Sequence, residues 1–344
     1  MEVLINARDQ RRKRYIFAFL LIAVMLIFSV IINLVSGSVE FNLKDLFEIV
    51  FKNRELSKLE YNILYKIRIP RILAAILYGA ALSISGFLLQ TFFRNPIVGP
   101  SVLGISAGAK LFVGFVILTN FTLNIGSNSL FLLFFASMLG SLISMVIVLI
   151  FARKTKNLST LVVIGIMIGY IASAITNFLI TFASDYKIIG LTMWGLGSFS
   201  GVNWGMLRTS AIIIIPTIIL SFIISKPLQA FLLGENYAMS LGVDVKKFRI
   251  VLIILSSCLT ACVTAFAGPI SFVGIAVPHI TRLSFKTANP KVLIPAIALT
   301  GAIFCLISDY FARTLFAPLE LNISVITSLI GAPIVIYLMS GREK

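Results

Sequence analysis

From Leu111 to Ala152 the chain runs 42 residues without a charged side chain. No helix or strand of a water-soluble domain needs such a stretch. A bilayer does, because each crossing takes about 20 predominantly apolar residues. Further uncharged runs lie at Tyr15–Val39, Ile72–Phe93, Asn95–Ala109, Asn157–Ser184, Ile188–Leu207, Thr209–Ser225, Ile250–Thr281, Val292–Ser308 and Leu321–Gly341. In lipid every backbone N–H and C=O must be satisfied internally, which leaves helices or closed barrels. These runs are continuous rather than alternating, so they predict an all-α polytopic membrane protein. Composition agrees: 59% hydrophobic and 12% charged, against roughly 45–50% and about 25% in soluble domains. A disordered chain is excluded, since disorder needs low hydrophobicity and high charge.

Placing breaks at turn formers gives about ten transmembrane helices in one domain spanning 1–344. They are expected near 15–36, 70–92, 101–118, 129–151, 159–182, 206–225, 249–266, 272–285, 292–310 and 322–340. The break inside the longest run falls at Thr119–Ser129, where Asn120, Asn124, Gly126 and Asn128 cluster. The stretch Ile188–Leu207 carries Trp194, Trp204 and several glycines and reads as an interfacial segment. The basic start Arg11–Arg14 precedes an apolar run too long for a signal-peptide core, so that run reads as a retained first span.

The net charge is +16. In a soluble protein that would suggest nucleic acid; here it follows from basic residues collecting on cytoplasmic loops. With both ends inside, the inner segments hold 18 Lys and Arg and the outer ones 10. That bias puts a basic tail, 1–14, and both termini in the cytoplasm of a multi-pass cell-membrane protein. Two loops are long: the outer segment Glu40–Arg71 and the inner segment 226–249. The inner one has helix-like apolar spacing from Leu228 to Leu241, then Gly242 as a stop, and so predicts one amphipathic helix on the cytoplasmic face.

Motifs for chemistry are sparse. There is no Gly-x-x-x-x-Gly-Lys-Ser/Thr loop, so any ATPase belongs to another chain. The three cysteines, Cys258, Cys262 and Cys305, sit in apolar runs and read as small core residues, with no disulfide and no metal site expected. Gly104-Ile105-Ser106-Ala107-Gly108 has the Gly-x-Ser-x-Gly spacing of a nucleophile elbow but lies in a helical run, where small residues let backbones approach. An intramembrane serine protease pairing Ser200 with His279 is disfavoured, because the topology puts them at opposite faces of a bilayer core about 30 Å thick. A secondary carrier is disfavoured too. Lys110 is the only basic residue deep in a span, and no carboxylate falls clearly within one. Arg68, Arg71 and Arg313 fall at outer helix ends. They suit either carboxylates of an external partner or local pairing, such as Arg313 with Asp309 at i,i+4.

Several segments together resemble the FecCD-type permeases of ATP-binding-cassette importers. They are R-I-P-R at 68–71, G-A-A-L-S-I-S-G at 79–86, F-R-N-P at 93–96 and L-G-I-S-A-G at 103–108. They continue with W-G-L-G-S at 194–198, L-L-G-E-N-Y-A-M-S-L-G-V at 232–243, G-P-I-S-F-V-G-I-A-V-P-H-I-T-R at 268–282 and G-A-P at 331–333. The resemblance implies a BtuC-like type II importer permease of ten helices, without an ATPase site or cofactor of its own. It also implies a second permease subunit, two cytoplasmic ABC ATPases and an extracellular binding protein that delivers an iron–siderophore complex, cobalamin or haem. By the same resemblance Arg68, Arg71 and Arg313 dock the binding protein. Leu233, Gly234, Glu235, Ala238, Leu241, Gly242 and Val243 couple to the ATPase, and Ser159 and Thr160 sit near an inner gate.

Overall fold

The computed structural model describes residues 2–37, 41, 57–119, 129–155 and 158–340. The expected turn at Asn120–Asn128, most of the segment between the first two spans, and Lys156, Arg342 and Lys344 lie outside these. All regular elements among the described residues are helical. In chain order they are α1 (Glu2–Val35), α2 (Lys58–Phe93), α3 (Ile105–Thr119), α4 (Ser129–Lys154), α5 (Leu158–Thr181), α6 (Asp185–Gly195), α7 (Trp204–Ile223), α8 (Ser225–Leu233), α9 (Glu235–Ser240), α10 (Val245–Ala267), α11 (Val273–Phe285), α12 (Pro290–Thr314) and α13 (Ile323–Ser340). Seven of them are long and apolar enough to cross a membrane. With the shorter α3, α11 and α13 they reproduce the ten helices expected. The interfacial segment resolves into short α6 and the turn after it.

α2 is the mast of the bundle. After an α-helical first turn, Lys58–Tyr61, it passes through a π-helical stretch, Asn62–Arg68, and from Pro70 to Phe93 nearly every side chain is buried. Small residues make that possible. A Cβ on Gly86 would lie 1.8 Å from the carbonyl oxygen of Gly274 in α11, and one on Gly79 would lie 2.3 Å from that of Gly301 in α12. Backbones meet there because association in lipid relies on close packing. Hydroxyls and one amide then stitch α2 to its neighbours: Tyr78 to Ser210 at 3.0 Å, Ser83 to the Ile297 carbonyl at 3.1 Å, Ser85 to the Ser256 carbonyl at 2.7 Å and Gln90 to that of Ile275 at 3.2 Å.

The same logic explains two sequence motifs. Gly108 of α3 faces Gly140 of α4, where a Cβ would meet a backbone oxygen at 2.6 Å, so the Gly-x-Ser-x-Gly spacing serves packing. Gly197, in the loop after α6, would bring a Cβ within 2.6 Å of the Pro269 carbonyl, and Ser198 donates its N–H to Ala267 at 2.8 Å. The W-G-L-G-S and G-P segments are thus the two sides of one crossing. By contrast α1 is peripheral and mostly exposed. Aromatic contacts of Tyr15 and Phe19 with Phe285 hold one end of it. Asn33 holds the other, donating to the carbonyl of Leu306 at 3.0 Å.

Candidate functional sites at the two ends of the bundle

At the first end, the start of α2 meets the end of α12. Arg71 and Asp309 are both buried, and the Arg71 Nε lies 3.1 and 3.0 Å from the two Asp309 oxygens. Arg71 Nη1 donates to both oxygens of Glu320, at 3.2 and 3.1 Å. Arg313 places its Nε 3.4 Å from Asp309, donates to the Asn33 Oδ1 at 2.5 Å and reaches the Ser36 carbonyl at 3.2 Å. Arg68 donates to the carbonyls of Leu34 and Val35 and packs over the Phe41 ring, 4.9 Å from its centroid. The three arginines assigned to docking are therefore drawn together, and each is engaged within the chain. Of their partners, Asp309 was readable from its i,i+4 spacing to Arg313. Glu320 and Asn33 were not anticipated, although Glu320 is the only charged residue between Arg313 and Arg342.

The second end lies about 34 Å away along α2, at 1.5 Å per residue from Arg71 to Arg94. The amphipathic stretch is two helices here, not the one expected. Gly234, with φ +137°, breaks it between α8 and α9, and Gly242, with φ +81°, ends α9. Those dihedrals lie outside the helical region, and only glycine enters them readily. Ala238 is fully buried and Val243 packs partly on the core, whereas Leu233, Tyr237, Met239 and Leu241 are exposed. Glu235 faces inward. Its Oε1 accepts a hydrogen bond from Arg249 Nη2 at 2.5 Å and lies 3.8 Å from Arg94 Nη2. Asp244 caps α10 by accepting from the Lys247 N–H at 3.1 Å, and that bond holds its carboxyl below the usual carboxylate range.

Between the two ends, α5 is largely exposed along its length, and Ser159 and Thr160 occupy its first turn, both exposed. Lys110, half-buried on α3, lies beside Gly195 at the end of α6. Ser200 shares a hydrogen with the Ser198 hydroxyl at 2.8 Å, and His279 is buried on α11. Cys258, Cys262 and Cys305 are free thiols.

The profile of the FecCD transport family matches residues 25–341. The chain belongs to the FecCD transport family. It is 34% identical over 285 residues to the hemin transport system permease protein HmuU of Yersinia pestis, covering 83% of this chain and 85% of that one. It is 36% identical over 288 residues to the vitamin B12 import system permease protein BtuC of Vibrio parahaemolyticus, again covering 83% and 85%. A solved inward-facing conformation of a metal-chelate type ABC transporter superposes with a TM-score of 0.82 at 29% identity, over 93% of this chain and 97% of that one. PsaBC from Streptococcus pneumoniae superposes at 0.54 and 15% identity, over 81% of this chain and 93% of that one, a likeness of fold alone. This FecCD protein is an integral membrane permease subunit of an ABC importer, and in its family the ATPase is a separate subunit.

Proposed function

We propose that this FecCD permease forms half of a dimer, with a like or identical subunit, and passes an iron–siderophore complex inward. Two cytoplasmic ABC ATPases engage it through α8 and α9, and an extracellular binding protein delivers cargo at the end carrying Arg68, Arg71 and Arg313. Both termini are then cytoplasmic. The observation that carries this reading is the set of exposed apolar side chains, Leu233, Tyr237, Met239 and Leu241, that the α8–α9 segment presents around buried Ala238. A short helical segment with exposed apolar side chains at a bundle end fits a groove on a partner. Support for the docking end is positional, since the arginine cluster lies at the opposite end of α2. Exposed α5, with Ser159 and Thr160 as its inner gate, supports a pathway formed between two copies. The relatives' names, hemin, vitamin B12 and metal chelate, share one cargo chemistry, a bulky organic chelate of a metal ion. Haem and cobalamin are the alternative cargoes.

The test is purification of the full chain from mild detergent, with mass spectrometry of what accompanies it. A stoichiometric ABC ATPase is expected. A chain that emerges folded but without one overturns the reading. Uptake into proteoliposomes holding that complex and its binding protein, with ferrichrome, haemin and cyanocobalamin as probes, then assigns the cargo.

A further inference from the structure

One carboxylate at the second end faces cations from two different spans. Glu235, the first residue of α9, has one oxygen 2.5 Å from Arg249 of α10 and 3.8 Å from Arg94. Arg94 is the left-handed cap of α2, with φ +50°. Its guanidinium lies 5.6 Å from the ring centroid of Phe231 in α8, and Phe231, fully buried, packs 5.6 Å from Phe248 of α10. The helix that Glu235 begins has a glycine on either side. It hangs between Gly234 and Gly242, where a Cβ would meet nothing within 4 Å. These joints therefore have room to turn. Ala238 is the one side chain of α9 that is buried.

We infer that Glu235 is a positioning residue that locks α9 to α2 and α10, so that a push on α9 moves both spans as one body. The inference rests on the reading of α8 and α9 as the ATPase contact. Without the link, α9 pivots on its two glycine joints and the push is lost in the loop. With it, a charge-assisted hydrogen bond of fixed direction from Arg249 holds the helix to α10, and the 3.8 Å ion pair with Arg94 draws it to the end of α2. α2 then carries the displacement, since its hydroxyls and glycines bind it to α7, α10, α11 and α12. The groups facing Glu235 from the packed elements are the two arginines, which leaves the exposed apolar residues as the docking face.

The test measures rigidity directly. Spin labels go on cysteines replacing Ser240 on α9 and Leu319 in the loop after α12, with Cys258, Cys262 and Cys305 replaced by serine. Labelled chain is diluted with unlabelled chain, in nanodiscs with the ATPase that co-purifies. In the parent, the intrachain distance is expected to be narrow and the same without nucleotide and with ATP and vanadate. In Glu235→Gln and in Arg249→Gln it is expected to stay narrow without nucleotide, then shift or broaden by several ångströms once nucleotide is added. In Arg249→Gln, which lies outside the proposed ATPase contact, ATPase stoichiometry should remain unchanged. Variants that match the parent in both states overturn the inference, as does a parent distance that moves with nucleotide. Broadening already present without nucleotide marks a bond that merely holds the loop and overturns it too. If Glu235→Gln loses the ATPase while Arg249→Gln keeps it, Glu235 touches the ATPase directly and the inference falls. A parent chain that binds no ATPase overturns the coupling reading and this inference with it.

Discussion

Asp309 and Glu320 share Arg71, yet burial separates their worth. Asp309 is almost wholly buried, and Arg71 and Arg313 both lean on it. Removing one partner of a buried pair typically costs about 3–5 kcal/mol, because the other charge stays behind uncompensated. Asp309→Asn is expected to lower thermal stability in detergent by that order. The Glu320 side chain is 48% exposed, and solvent screening limits such a pair to about 1 kcal/mol or less. Glu320→Gln is expected to leave the melting temperature nearly unchanged. Because Arg71 and Arg313 also hold the fold, a salt titration of binding-protein docking tests their proposed role better than charge reversal does. Docking is expected to weaken as salt rises. The local pair Arg313–Asp309 was legible from spacing alone. Arg71 and Asp309 stand 238 positions apart, and no periodicity links residues at that separation.

Individual helices repay the same treatment. Gly86→Ala puts a methyl into the backbone of α11, and overpacking of this kind costs about 1–3 kcal/mol. The variant is expected to purify with reduced yield and a lower melting temperature, whereas Gly201→Ala, with open space around it, is not. At the start of α10 the Asp244 carboxyl is held below its ordinary range by the Lys247 N–H. A carboxyl lowered on folding contributes fully above the ordinary carboxylate range, and its contribution is lost as pH falls through its own lower range. Hydrogen exchange in the first turn of α10, corrected for intrinsic rate, is expected to quicken on acidification. Asp244→Asn, which keeps a capping oxygen but no charge, should remove that pH dependence. Span positions were legible because uncharged length is a property of the chain itself. The split of α8 from α9 was not, because apolar spacing continues across Gly234 and only its dihedral ends the helix.

For the molecule as a whole, the mast and its partners form the interior, while α1 and α5 stand at the margin. Both present exposed apolar side chains. α5 is proposed to meet a second subunit, and cross-linking of cysteines placed at its exposed Val163 and Tyr170 is expected to join copies, or similar chains, within the membrane. The lipid surface suffices for α1, whose polar groups are gathered near its ends. The Asn33 amide bonds to a carbonyl 273 residues further along. Chains grow at about 5–20 residues per second, so the first helix waits roughly 14–55 s for the residue it will bind. During that wait it has no neighbour from α12, and an apolar surface all around is what lets it stand alone in the bilayer. The helix is thus made well before the carbonyl it binds, and the contact at Asn33 closes only once α12 has been made.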